Sequence, residues 1–65
     1  MIRYTIPDMS CDGCVGAITR AVRRVDANAV VTADLAAHVV DIQSSAPPER
    51  LEAAIDDAGY TVKAA

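Results

Sequence analysis

Apolar and polar positions alternate from the start of the chain. In "IRYTI", Ile2, Tyr4 and Ile6 fall on one face and Arg3 and Thr5 on the other, the period of two that marks a half-buried strand. Pro7 and Asp8 end it, because proline has no N–H to give to a ladder. From Cys14 the spacing turns helical: Cys14, Ile18, Ala21, Val22 and Val25 share one stripe, with Arg20, Arg23 and Arg24 mostly on the opposite side. Ser10 is the expected N-cap. Asp12 suits the positive end of the helix dipole, and the arginines suit its negative end. The turn-like "DAN" at 26–28 predicts a stop near Val25.

The period of two then returns. "AVVTADL" puts Ala29, Val31, Ala33 and Leu35 on one face and Val30, Thr32 and Asp34 on the other. After an Ala36–Ala37 turn, "HVVDIQ" points Val40 and Ile42 inward, and two strands this close in sequence form a hairpin. "SSAPP" breaks the pattern, and Pro47 and Pro48 suit a first helical turn. Leu51, Ala54, Ile55 and Ala58 make a second stripe, Gly59 is the expected C′ residue, and "YTVK" reads as a short closing strand. The order β-α-β-β-α-β predicts an α+β, ferredoxin-like sandwich, a four-stranded antiparallel sheet with both helices on one face. Its apolar faces suit one layer, so residues 1–65 are expected to form one domain.

Size and charge narrow what such a domain does. A 65-residue chain buries only about 60% of the surface its unfolded form exposes. Its single core supplies roughly 3–5 kcal/mol, with no large substrate cleft to be expected. That favours a binding module over an enzyme. The net charge of −3 argues against nucleic acid. Both signs are nonetheless displayed, the bases at Arg20, Arg23 and Arg24 and the acids at Glu49, Glu52, Asp56 and Asp57. No apolar run is long enough to span a bilayer and the N-terminus is no signal peptide. The expectation is a cytoplasmic protein without membrane insertion, where thiols stay reduced and paired cysteines serve metal or redox chemistry.

Both cysteines, Cys11 and Cys14, lie in "PDMSCDGCVGAITR" between the first strand and the first helix. A helix N-terminus favours anions, so both thiols should ionise more easily than a free cysteine. Thiolates are soft ligands that select soft metals such as Cu(I). Zinc prefers three or four protein ligands, and the chain offers one histidine, His38, on another element, with Asp8 and Asp12 as oxygen donors. Zinc is therefore open but disfavoured, whereas Cu(I) and Hg(II) tolerate two thiolates alone. A two-ligand site also lets an incoming thiolate bind before an outgoing one leaves. Such a site suits delivery better than storage.

"MSCDGC", Met9 to Cys14, the element order and "LEAAIDDAGY", Leu51 to Tyr60, together resemble the heavy-metal-associated domain family, and within it the small bacterial copper chaperones. The resemblance spans essentially the whole chain. A bare C-x-x-C is weak evidence, but Met-x-Cys-x-x-Cys at this place in the fold is specific. It implies that Cys11 and Cys14 bind Cu(I) nearly linearly and that Met9 turns inward as a loop anchor. Tyr60 would shield the site and tune metal release. Ser10 replaces the aspartate that zinc-transporting relatives tend to carry. The implied partner is the soluble metal-binding domain of a copper-transporting P-type ATPase. Arg20, Arg23 and Arg24 read most simply as a solvated helix face, but their helix also carries Cys14, so a partner docking at the metal loop would meet them. The apo protein would be a monomer, with a copper-bridged homodimer left open.

Two positions depart from the family pattern. Asp8 stands where glycine is common, and "VDANAVV" replaces a frequent Gly-Val after the first helix. The second should affect only a turn, while the first adds charge beside the metal loop with no assigned effect. His38 reads most simply as a surface residue near the hairpin turn. Competing readings are an excised N-terminal domain of a copper ATPase, a Hg(II)- or Zn(II)-binding relative, and a thiol oxidoreductase. A start at Met1 and an end just after the last strand argue for an independent protein. The redox motif normally follows a strand in a larger fold with a nearby cis-proline, whereas Pro7 precedes this one.

Overall fold

The computed structural model describes residues 2–64. Along the chain run β1 (Ile2–Thr5), α1 (Asp12–Val25), β2 (Val30–Asp34), β3 (Val39–Gln43), α2 (Pro48–Asp57) and β4 (Lys63–Ala64). β1 pairs antiparallel with β3, placing Tyr4 opposite Val40 and Ile2 opposite Ile42. β3 pairs antiparallel with β2, placing Val31 opposite Ile42 and Ala33 opposite Val40. These registers gather the apolar faces that the alternation marks. Tyr4, Ile6, Val40 and Ile42 are buried against Ile18 and Val22 of α1 and Leu51 and Ile55 of α2. Both helices therefore cover one face of the antiparallel sheet. The other face is polar: Arg3 and Asp41 stand opposite each other and form a 2.7 Å ion pair, a favourable cross-strand pair.

The closing strand is shorter and later than the expected "YTVK". Only Lys63 and Ala64 pair with β1, opposite Thr5 and Tyr4. The cause lies upstream. Tyr60 and Thr61 are engaged in other contacts, through the α2 C-terminus and Asp8, so the chain reaches the sheet edge two residues on.

α1 also begins before Cys14, at Asp12, and its N-cap is Cys11 in extended conformation (φ −153°, ψ 166°), not Ser10. The Cys11 carbonyl accepts the N–H groups of Cys14 and Val15 at 3.0 and 3.3 Å. The reason is the turn before it. Pro7 and Asp8 form its centre, closed by Met9 N–H to Ile6 O at 3.0 Å, and Met9 is fully buried. This anchors the loop so that the first carbonyl free to start the helix is that of Cys11. α1 ends at Val25, where the spacing places its end.

The C-terminus of α2 is closed by a Schellman motif. Gly59 adopts φ 95°, a left-handed conformation that glycine takes without steric cost. Gly59 N–H donates to Asp56 O at 2.9 Å and Tyr60 N–H to Ile55 O at 3.3 Å. That reversal turns Tyr60 back toward the start of α1.

Candidate metal centre

The two sulfurs lie at the junction of an exposed loop and the first turn of α1. Cys11 is exposed and Cys14 is half-buried, and neither is bonded in a disulfide. Their Sγ atoms are 3.0 Å apart, at hydrogen-bond distance. A metal held in line by two thiolates, each about 2.3 Å away as in zinc sites, needs more room than this. The sulfurs would have to part to admit one, and Cys11 is the more exposed of the two. Gly13 between them is placed where a β-carbon would touch Cys11 Sγ at an ordinary 3.8 Å, so side-chain bulk there does not govern the pair.

The Cys14 thiol is pulled down from the ordinary range to about 7. The Tyr60 hydroxyl is the main cause, because it donates to the thiolate, followed by the Cys11 side chain and the Ser10 backbone. The same contact pushes the Tyr60 phenol up, helped by burial and by the nearby sulfurs and Asp8. Tyr60 is half-buried and packs on the core edge, so it both fills that edge and reaches the site. Helix position alone is the signal legible in the sequence for an acidic thiol. The specific donor comes from the Schellman turn at the opposite end of the chain.

Met9 lies in the core, fully buried, with its thioether away from solvent. Ser10 is exposed beside Cys11. Arg20, Arg23 and Arg24 are all exposed on α1, and none makes an ion pair among the described residues. Arg24 lines a shallow interhelical groove with Ala21, Ala54, Asp57 and Ala58. Among the described residues no three His, Cys, Asp or Glu side chains gather into a group that could hold a metal.

His38 is not the surface residue expected. It is half-buried and left-handed, with φ 56°, a conformation costly for a residue with a β-carbon. Two contacts hold it there. Its carbonyl accepts the Ile6 N–H at 2.7 Å, and its Nδ1 lies 2.7 Å from the Met9 carbonyl. A carbonyl only accepts, so Nδ1 carries the proton. The hairpin tip thus braces the loop that precedes Cys11. Asp8 braces it from the other side, its Oδ2 accepting the Thr61 N–H at 3.0 Å. Neither contact has a sequence signature, since each ends on a backbone group.

With this geometry in view, comparison with known proteins is specific. The heavy-metal-associated domain model matches residues 3–61. The copper chaperone Atx1 from Synechocystis PCC6803, in a trimeric His61Tyr form, is 41% identical over 97% of this chain and 100% of its own, with a TM-score of 0.94. A gold-binding protein is 32% identical over the full length of both chains, also at 0.94. The N-terminal domain of PacS from Synechocystis PCC6803 is 25% identical over 98% of this chain and 94% of its own, at 0.83. No curated protein sequence matches. The family match covers both sulfurs, the buried methionine and the Tyr60 turn in one stretch, and the chain belongs to the heavy-metal-associated domain family.

Proposed function

We propose that this chain is a Cu(I) carrier of the cytoplasm, with Cys11 and Cys14 as its two ligands and no catalytic role. The observation that carries this reading is the ligand set itself: two sulfurs, one exposed on a loop and one with its thiol lowered to about 7. Soft thiolates suit Cu(I), and the set falls short of the three or four ligands typical of zinc. The copper chaperone and gold-binding relatives support a soft cargo. Asp8, a candidate oxygen donor, already accepts from Thr61.

Delivery follows from low coordination. A thiolate of the receiving protein adds to the ion while Cys11 and Cys14 still hold it, and the original ligands leave one at a time. Copper is never free, and its oxidation state does not change. Tyr60 covers the pair, Met9 anchors the loop, Ser10 places no hard carboxylate between Met9 and the first cysteine, and Arg20, Arg23 and Arg24 meet the partner. The receiver is the soluble metal-binding domain of a copper-transporting P-type ATPase. The apo form is a monomer, and shared thiolates offer a route to copper-bridged copies. The PacS match supports a second reading, in which the same unit serves as the N-terminal domain of a larger protein.

Anaerobic Cu(I) titration against bicinchoninate tests the assignment. One equivalent should bind tightly, and both Cys11→Ser and Cys14→Ser should abolish stoichiometric binding. Preference for Zn(II) under equal competition would refute it.

A further inference from the structure

Asp8 stands three residues before Cys11 with its carboxylate exposed. Its contact spans 53 residues of sequence to reach the Thr61 N–H. Thr61 follows directly on Tyr60, which like Cys14 packs against the core and is the largest influence on the Cys14 thiol. On its other side Tyr60 is fixed by its own N–H to Ile55 O. The Tyr60 segment is therefore pinned at two successive backbone N–H groups, one by the end of α2 and one by Asp8.

Asp8 is itself rigidly mounted. Pro7 restricts the backbone before it, Met9 N–H closes the turn onto Ile6 O, and Met9 is buried and braced by His38. A carboxylate so placed can act as a fixed post rather than a mobile charge. We infer that Asp8 is a positioning residue, holding the Tyr60 segment closed over Cys14 and so setting how fast metal leaves the thiolate pair. The inference about metal release rests on Cys11 and Cys14 being the ligands; the clamp itself does not.

Two readouts separate these parts. In the apo protein, Thr61 amide hydrogen exchange reports the clamp. In the Cu(I)-loaded protein under anaerobic conditions, the rate of copper withdrawal by bicinchoninate reports the cover. Asp8→Ala should speed both by about fivefold, the net worth of one hydrogen bond. Asp8→Asn keeps a carbonyl oxygen for Thr61 and should restore most of the protection and most of the slow withdrawal. In a Tyr60→Ala background, Asp8→Ala should no longer alter withdrawal, because the cover is already gone. Unchanged Thr61 exchange in Asp8→Ala would overturn the clamp, and an Asn variant behaving like Ala would assign the effect to charge instead. An Asp8→Ala effect that persists without Tyr60 would place Asp8 on the metal directly, also against the inference. Failure of the native protein to bind copper would refute the ligand assignment while leaving the apo exchange test intact.

Discussion

At the scale of single residues, the chemistry of the site turns on a hydroxyl brought from the other end of the chain. Tyr60 first, with the Cys11 side chain and the Ser10 backbone, lowers the Cys14 thiol to about 7, so its thiolate is better populated near neutral pH than that of an unperturbed thiol. Capture of a soft cation needs the thiolate, and protons therefore compete with metal as pH falls below about 7. Replacing Tyr60 with Phe keeps the ring and removes the donor. Alkylation of the apo protein with iodoacetamide, read at Cys14 by mass spectrometry, should then show its pH midpoint moving upward toward the ordinary thiol value. A midpoint unchanged in Tyr60→Phe would show that the helix terminus and Cys11, not the phenol, acidify Cys14.

At the scale of elements, the end of α1 farthest from the sulfurs is locked by Asp26. Its Oδ2 accepts from Ser44 Oγ at 2.6 Å and Ser45 N–H at 3.3 Å, and its Oδ1 from Asn28 N–H at 3.0 Å. One carboxylate joins the α1–β2 turn to the β3–α2 loop. These bonds, the Ser44 hydroxyl first, hold the Asp26 carboxyl below its usual range. A depressed folded-state value means that the unfolded chain takes up the proton more readily. The stabilisation is therefore fully present above the unfolded carboxylate value, near pH 4, and is lost as pH falls through the lower folded value. Asp41, held down by Arg3, adds to the same trend. Urea midpoints should decline from about pH 4 downward in the native protein. Asp26→Asn should begin lower at neutral pH and decline less in acid. An identical acid slope in the variant would remove Asp26 from this role. The elements themselves were legible because their signals are local: Val40 and Ile42 alternate inward, Ile18 and Val22 share a stripe, and Gly59 marks the end of α2. The closeness of the two sulfurs, 3.0 Å apart, was legible in the spacing of the cysteines at the start of a helix. What escaped was contact between distant segments through backbone groups, namely Asp8 to Thr61 and His38 to Met9. Any residue supplies such an N–H or carbonyl, so no pattern announces it. The displacement of the N-cap from Ser10 to Cys11 has the same origin, since buried Met9 and the turn before it decide where the helix begins.

At the scale of the whole molecule, the two signs of charge are carried by different segments. The chain carries −3 overall, yet α1 presents three exposed arginines that make no ion pair among the described residues. Their positions on the helix are not equivalent. With a rise of about 1.5 Å and a turn of about 100° per residue, Arg20 lies roughly 9 Å along the axis from Cys14. Arg24 lies roughly 15 Å away and shares a groove with Asp57, and Arg23 points about half a turn away from the Cys14 side. A receiving surface that meets the metal loop therefore meets Arg20 first. If the carrier docks there on an acidic partner, Arg20→Glu should slow copper transfer to an ATPase metal-binding domain several-fold at low salt, as charges at an interface rim act mainly on association rates. Arg23→Glu should change it far less. The native rate should fall as ionic strength rises toward about 0.1 M, where the screening length shortens to about 10 Å, and Arg20→Glu should flatten that dependence. Stopped-flow transfer measured across a salt series decides the matter, and equal effects of Arg20→Glu and Arg23→Glu would mean that net charge, not a docking face on α1, governs the encounter.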